Sequence, residues 1–426
     1  MTPMCDREFF TKLFEAAVNA ADPERTIASH LPPRPKGRTI VIGAGKGSAQ
    51  MASAFEKAWA VKHPGADVEG LVVTRYGFGA ACKHIEIIEA SHPVPDAAGL
   101  IASKRLLESV SGLTADDLVI ALVSGGGSAL LPSPPKGMTI DDEIAVNKVL
   151  LASGAPISAM NAVRKHLSTI KGGRLAAAAY PARVYSLIVS DIPGDNPAFV
   201  ASGPTVPDET TREEALAIVK RYSLDLPPAA LNHLGSPAAD APKPGDAVFN
   251  NHERHVIASA GVSLEAAANV ARENGVAAVI LSDAIEGEAR EVAHVHAALA
   301  KHVLAKNQPF TKPVVILSGG ETTVTVRGKG KGGRNTEFLL SLAMDIDGAT
   351  GITAFAADTD GIDGSEDNAG AFADSTSVER LLRKGHDASA YLNGNNAWTA
   401  FNAIDDLFVP GPTGTNVNDL RAILVR

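Results

Sequence analysis

Apolar runs that empty into glycine, serine or aspartate recur along this chain, and nothing else in it limits the possible folds as strongly. They are "TIVIGA", "EGLVVTR", "DDLVIALVSGG", "VYSLIVSDIPG", "HVIASA", "AAVILSD", "PVVILSGGETTVTV" and "TAFAADTDG". Gly, Ser and Asp close the turn after a strand or cap the helix that follows. Between the runs lie helical patterns. Met51, Ala52, Phe55, Ala58 and Trp59 form one stripe between Ala49 and Ala60, and Ser263 to Asn274 is an Ala-rich helix. Strands alternating with helices predict an α/β fold with a largely parallel sheet. The Pro-, Ala- and Asp-rich stretch from Asp225 to Asn251 is the expected linker between domains.

The 426 residues suffice for two or three domains, and a net charge of −9 gives a nucleic-acid partner no electrostatic support. Only Cys5 and Cys82 occur, neither in a metal-ligand spacing, which fits a reducing, cytoplasmic setting. The start "MTPMCDREFF" lacks the order of a signal peptide, and no apolar run approaches the roughly 18 residues of a membrane span.

Four glycine-rich loops carry the candidate chemistry. The first is Gly43-Ala44-Gly45-Lys46-Gly47-Ser48, which opens a helix. A Walker A loop, G-x-x-x-x-G-K-[ST], is excluded, because Ile40 stands at the first glycine and Gly47 follows Lys46. The dinucleotide fingerprint fits loosely: Ser48 replaces the third glycine, and the next strand ends in Arg75 where an acid would bind ribose. Arg75 would suit a 2′-phosphate. Whatever the template, free N–H groups and a positive dipole end at a helix N-terminus attract an anion, and Lys46 adds a point charge. A tight turn with a solvated lysine is the alternative.

In the second loop, Gly125, Gly126 and Gly127 let backbone wrap an anion, followed by Ser128 outside any G-x-S-x-G elbow. The third, "SGGETTVTVRGKGKGGRN", begins with Gly319, Gly320 and Glu321. It reads as a flexible loop bringing Lys329, Lys331 and Arg334 to an anion, with Asn335 and Glu337 beginning a helix. The fourth, "AADTDGIDGSED", holds Asp358, Asp360, Asp363, Glu366 and Asp367. It is only superficially like a calcium loop, because the terminal Glu is misplaced. A Mg²⁺ site, a ribose contact and a plain acidic surface loop are its other readings.

Two further stretches complete the set. Between Asn161 and Ala179, Arg164, Lys165, His166, Lys171 and Arg174 reverse the local charge, and Asn161, Arg164 or Lys165, and Ser168 share a helix face. That suits a small carboxylate met by Arg164, or a solvated basic face. In "IVSDIPGDNP", Asp191 follows a strand and Asp195 sits in a turn, so Asp191 is a candidate Mg²⁺ ligand or general base. Glycine cradle, cationic clamp and carboxylates together are the parts of phosphoryl transfer.

The stretches "GAGKGSAQMA", "ASHPVPD", "VSGGGSALL", "NAVRKHLSTIKGGRLA", "VSDIPGDNP", "ASGPTVPD", "SGGETTVTVRGKGKGGRNTEF" and "AADTDGIDG" resemble, in order and over nearly the whole chain, the class II glycerate 2-kinases with a MOFRL domain. The resemblance implies ATP- and Mg²⁺-dependent phosphorylation of D-glycerate to 2-phosphoglycerate. It implies a Rossmann-like parallel-sheet N-terminal domain, 1–240, and a smaller α/β C-terminal domain, 251–426, whose MOFRL segment covers about 312–420, with the active site in the cleft between. The family's lysine in the first glycine loop and arginine in "GGRN" fall on Lys46 and Arg334.

The expected site thus has Lys46, Arg334 and Asp191 as catalytic groups. Gly43, Gly45, Gly47, Ser48, Gly125, Gly126, Gly127, Ser128, Gly319, Gly320, Glu321 and Asn335 are expected around the nucleotide phosphates. His92, Asn161, Arg164 and Lys171 are expected to face glycerate, and Asp191, Asp358 and Asp360 to hold Mg²⁺. Expected partners are D-glycerate, ATP and a second copy in a homodimer, without nucleic acid or membrane. Two rivals stand: an NAD(P)H-dependent hydroxypyruvate reductase, a name used for close relatives of the family, and a non-catalytic nucleotide or sugar-acid binding protein.

Overall fold

Six strands, β1 (Thr39–Ala44), β2 (Glu69–Arg75), β3 (Ile85–Ala90), β4 (Leu118–Ser124), β5 (Arg183–Val189) and β6 (His252–Ala258), form one sheet in the order β3-β2-β1-β4-β5-β6. The computed structural model describes residues 5–426, so the first four residues of the N-terminal reading lie outside it. The pairs β1–β2, β1–β4, β2–β3 and β4–β5 are all parallel. Every residue of β1 and β4 is buried, which is why both read as unbroken apolar runs: helices cover both faces of such a sheet. The chain reverses its winding between β1 and β4, and this switch point is where an open α/β sheet binds ligands.

A second sheet contains β7 (Ala277–Ile280), β9 (Val314–Ser318), β11 (Ile352–Asp358), β12 (Gly370–Asp374), β13 (Leu407–Phe408) and β14 (Asp419–Val425). Two-residue strands β8 (Gly287–Glu288) and β10 (Thr322–Thr323) pair separately. The order is β13-β12-β11-β14-β9-β7. Only β7–β9 is parallel; β9–β14, β11–β14, β11–β12 and β12–β13 are antiparallel. The expectation of a largely parallel sheet therefore describes the first sheet and not the second. The difference lies in β14, which inserts antiparallel between β11 and β9, and in β12 and β13, which extend the edge in antiparallel pairs.

Two compact units result. One comprises Pro23–Ile192 and Asn196–Ile257; the other comprises the chain up to Asp22, Pro193–Asp195 and Ala258–Arg426. The division differs from 1–240 and 251–426 chiefly at the N-terminus. The helix Asp6–Ala20 buries Phe9, Phe10, Leu13, Phe14 and Ala17 in the same core as Leu264, Phe355 and Leu424 of the second unit. Phe10 stacks on Phe355 at 5.8 Å. Each such ring contributes roughly 1.5–3 kcal/mol of burial. The stretch expected as a linker is folded: it contains the helix Pro228–Leu234 and buries Leu226, Ala230, Leu234 and Ala239. Pro227, Pro228 and Pro237 sit at helix starts, where a missing N–H costs nothing. No described helix is long and apolar enough to cross a membrane.

Candidate active site

In the first unit the loops after β1, β4 and β5 meet at the switch point. Lys46 N donates to Gly125 O at 2.8 Å, Gly47 N to Ser124 Oγ at 3.0 Å, and Ser48 Oγ to Leu122 O at 3.0 Å. These bonds fasten the first glycine loop to the second. Two glycines are required by close approach. A Cβ on Gly125 would stand 1.7 Å from Asp191 Oδ2, and one on Gly126, whose φ is 80°, would stand 2.9 Å from Lys46 Cγ and 3.1 Å from His92 Nε2. Adjacent glycines therefore make room for a carboxylate and for the lysine stem beside an imidazole. Burial, then the positive charges of Lys46 and Arg75, hold His92 below the ordinary histidine value, so the ring is neutral near pH 7.

The basic segment divides. Arg164 Nε donates to Asn147 Oδ1 at 2.8 Å and its Nη1 lies 3.4 Å from Asn161 Oδ1. Asn161 Oδ1 also accepts from Ser202 Oγ at 3.2 Å, and Ser202 Oγ is 2.7 Å from Ser128 Oγ. Asn161, Arg164 and Ser128 are thus one connected group, joined by Ser202. Lys171 stands apart: it is buried, and its Nζ pairs with Glu143 Oε1 at 2.6 Å. Lys165 is likewise buried, 3.4 Å from Asp208 Oδ1. Breaking such a pair leaves an uncompensated buried charge, at about 3–5 kcal/mol. Ser168 lies beyond the helix Ile157–His166, and its Oγ accepts from the N–H groups of Ile170 and Lys171.

In the second unit Arg334 is the first residue of the helix Arg334–Asp345 and is surrounded by acids. Its Nε donates to Asp419 Oδ1 at 2.8 Å, Nη1 to Glu321 Oε1 at 2.9 Å, and Nη2 to Asp358 Oδ2 at 2.6 Å. Burial works against its charge, but Asp419 and Asp358 outweigh that and raise its pKa further. Asp358 is pushed up to about 8, by burial first and by Asp419 second, with Arg334 pulling the other way. Asn335 Nδ2 donates to Asp419 Oδ1 at 2.8 Å. Asp363 caps the helix, accepting from the backbone N–H groups of Asn335 and Thr336, both at 2.9 Å. Asp419 also pairs with Arg421, which is fully buried.

The loop expected to be flexible is packed. A Cβ on Gly328 would meet Gly394 O at 2.2 Å, and one on Gly333 would meet Asp363 Oδ1 at 2.4 Å. Arg327 N and Gly328 N donate to Asn395 Oδ1, and Lys331 pairs with Glu366 at 3.1 Å. Its glycines serve close backbone approach, not mobility. Gly320, at φ 103°, likewise packs against Ile285. In the acidic loop Asp360 N donates to Asp358 Oδ1 and Ile362 N to Asp360 Oδ1, and no group of three or more His, Cys, Asp or Glu side chains is arranged to hold a metal among the described residues.

Asp419, Arg421, Glu143 and Ser202 are absent from the expected site. "NDLRAILVR" carried a usable signal for the first two, since an Asp and an Arg inside an apolar strand need buried partners.

Comparison with known proteins places these features in context. A family model described as a domain of unknown function (DUF4147) matches residues 9–235, and the MOFRL family model matches residues 314–419. A protein of Agrobacterium vitis with the provisional name hydroxypyruvate reductase is 52% identical over 98% of this chain and 94% of its own. The D-glycerate 2-kinase of Thermotoga maritima is 37% identical over 98% of this chain and 99% of that protein. The crystal structure of a glycerate kinase from Thermotoga maritima matches with a TM-score of 0.89 and 36% identity, covering 99% of both chains.

Proposed function

The chain belongs to the class II glycerate kinase family, and on that premise we propose that it transfers the terminal phosphoryl group of ATP to the C2 hydroxyl of D-glycerate, giving ADP and 2-phosphoglycerate. The observation that carries the site is the pairing of adjacent glycines at the switch point, Gly125 under Asp191 and Gly126 under Lys46. Anion cradle, cation and base, from three loops, are thereby gathered around one pair of glycines. Asp191 accepts the C2 hydroxyl proton as the oxygen attacks phosphorus, and ADP leaves with the electron pair of the broken P–O bond. Lys46 and Arg334 supply positive charge for the transferring group, and Asn161 and Arg164 receive the substrate carboxylate.

Mg²⁺ takes oxygen ligands, but among the described residues no three His, Cys, Asp or Glu side chains are grouped to hold a metal. Asp191, Asp358 and Asp360 are the residues proposed to face it. Because Arg334 and Asp360 N already occupy the Asp358 oxygens, phosphate and water would complete most of its shell. Bound there, the ion would neutralise phosphate charge.

The reductase name borne by a relative supplies the second reading. Arg75, the residue that would meet a 2′-phosphate, instead lies over the Phe78 ring at 3.5 Å. Two parallel assays on one preparation separate the readings: ADP release from Mg-ATP with D-glycerate, and NADH or NADPH oxidation with hydroxypyruvate. ADP release alone is expected. Cofactor oxidation alone rejects the proposal.

A further inference from the structure

The hydrogen bonds around Ser128 run in one direction, and an arginine sets it. A guanidinium only donates, so the Asn161 atom that faces Arg164 Nη1 at 3.4 Å is the amide oxygen. Ser202 Oγ lies 3.2 Å from that same oxygen, and its single proton points there. In the 2.7 Å contact between Ser202 Oγ and Ser128 Oγ, Ser202 is therefore the acceptor and Ser128 the donor. Ser128 is left with lone pairs only. A phosphate oxygen also offers only lone pairs, so the group that meets Ser128 must be a donor.

The backbone holds this arrangement. Ala201 and Ser202 have φ of 51° and 59°, a conformation unfavourable for residues other than glycine and concentrated at functional sites. Gly172 N donates to Ser202 O at 3.1 Å. Ser202 and Asn161 are fully buried, whereas Ser128 is half-buried at the end of the glycine loop. Of the two serines, only Ser128 is placed to reach a ligand.

We propose that Ser128 is a specificity-determining residue that accepts a hydrogen bond from a hydroxyl of the hydroxy-acid substrate, with Ser202 as the positioning residue that fixes its direction. This rests on the glycerate kinase reading of the site. It moves Ser128 from the phosphates, where its loop alone would put it, to the acid. An acid lacking the recognised hydroxyl gains nothing from Ser128.

Calorimetric titration tests this without requiring turnover. D-lactate keeps the carboxylate and C2 hydroxyl of glycerate but lacks the C3 hydroxyl; 3-hydroxypropionate keeps the C3 hydroxyl and lacks that at C2. Binding of D-glycerate, both analogues and Mg-ATP is measured for the wild type, Ser128→Ala and Ser202→Ala, each checked for an unchanged melting temperature. In Ser128→Ala, D-glycerate affinity falls roughly tenfold, one single-hydroxyl analogue is unaffected, and Mg-ATP affinity is unchanged. Ser202→Ala shows a smaller loss of the same selectivity. Weakened Mg-ATP binding with D-glycerate unaffected, or equal weakening of all three acids, overturns the proposal. Ser128-dependent glycerate binding in a protein that releases no ADP keeps this contact but rejects the kinase reading.

Discussion

Lys46 and Arg334 carry the same charge in opposite circumstances. Lys46 is fixed through its backbone, with Lys46 N on Gly125 O and Lys46 O accepting from Thr74 Oγ1 at 3.1 Å, and it forms no ion pair among the described residues. The proposed mechanism assigns this ammonium to the phosphoryl group. Arg334 is already matched by three carboxylates, so the phosphate of the proposed mechanism would have to compete with them or share them. On this basis Lys46→Ala lowers kcat by roughly 10² or more while leaving the melting temperature unchanged; steady-state kinetics beside thermal denaturation checks it, and an unaltered kcat removes Lys46 from the mechanism. Lys46 and Asp191 could be singled out in the sequence because each lies inside a short motif, and the structure brings them against Gly126 and Gly125. Asp419 was not, since its bond to Arg334 spans 85 positions of sequence. Nothing local to "TIKGGR" announces that Lys171 is neutralised by a glutamate 28 positions away.

Elements were legible where burial on both faces makes a continuous apolar run. β1, β2, β4, β5 and β9 are such strands. β3 escaped because it is an edge strand in which Glu86 and Glu89 interrupt the isoleucines, and β14 because Arg421 breaks its run. Glycine was the ambiguous residue: it marked the close approach of Asp191, Lys46 and His92 at Gly125 and Gly126 but backbone and helix-cap packing at Gly328 and Gly333. Gly125 offers a clean test, because its φ is not in the left-handed region and the only consequence of a methyl group is steric. Gly125→Ala should displace the Asp191 carboxylate and lower kcat at least about tenfold. Since both changes act on one group, the double variant Gly125→Ala with Asp191→Asn should be no slower than the slower single variant. Additive losses in kcat would show that the two residues act separately.

At the scale of the molecule the α/β class followed from alternation alone, whereas the mixed second sheet and the return of the N-terminal helix to the C-terminal core depend on contacts between distant segments. Stability in acid is a property of this folded whole. Burial first, and Arg254 second, push His252 down to about 4, and neither ring nitrogen has a hydrogen-bond partner among the described residues. The folded value lies below the unfolded value near 6.5, so between the two the unfolded chain takes up the proton more readily. The contribution is complete above pH 6.5 and is lost as the pH falls toward 4. Melting temperature should therefore decline over that window, more steeply for the wild type than for His252→Asn; parallel curves would contradict the assignment. The central claim concerns the reaction itself, and the product decides it. With Mg-ATP, D-glycerate and enolase together, the account predicts ADP release matched by phosphoenolpyruvate formation, with no NADH or NADPH oxidised when hydroxypyruvate is supplied instead. ADP release without phosphoenolpyruvate, or cofactor oxidation without ADP, would contradict it.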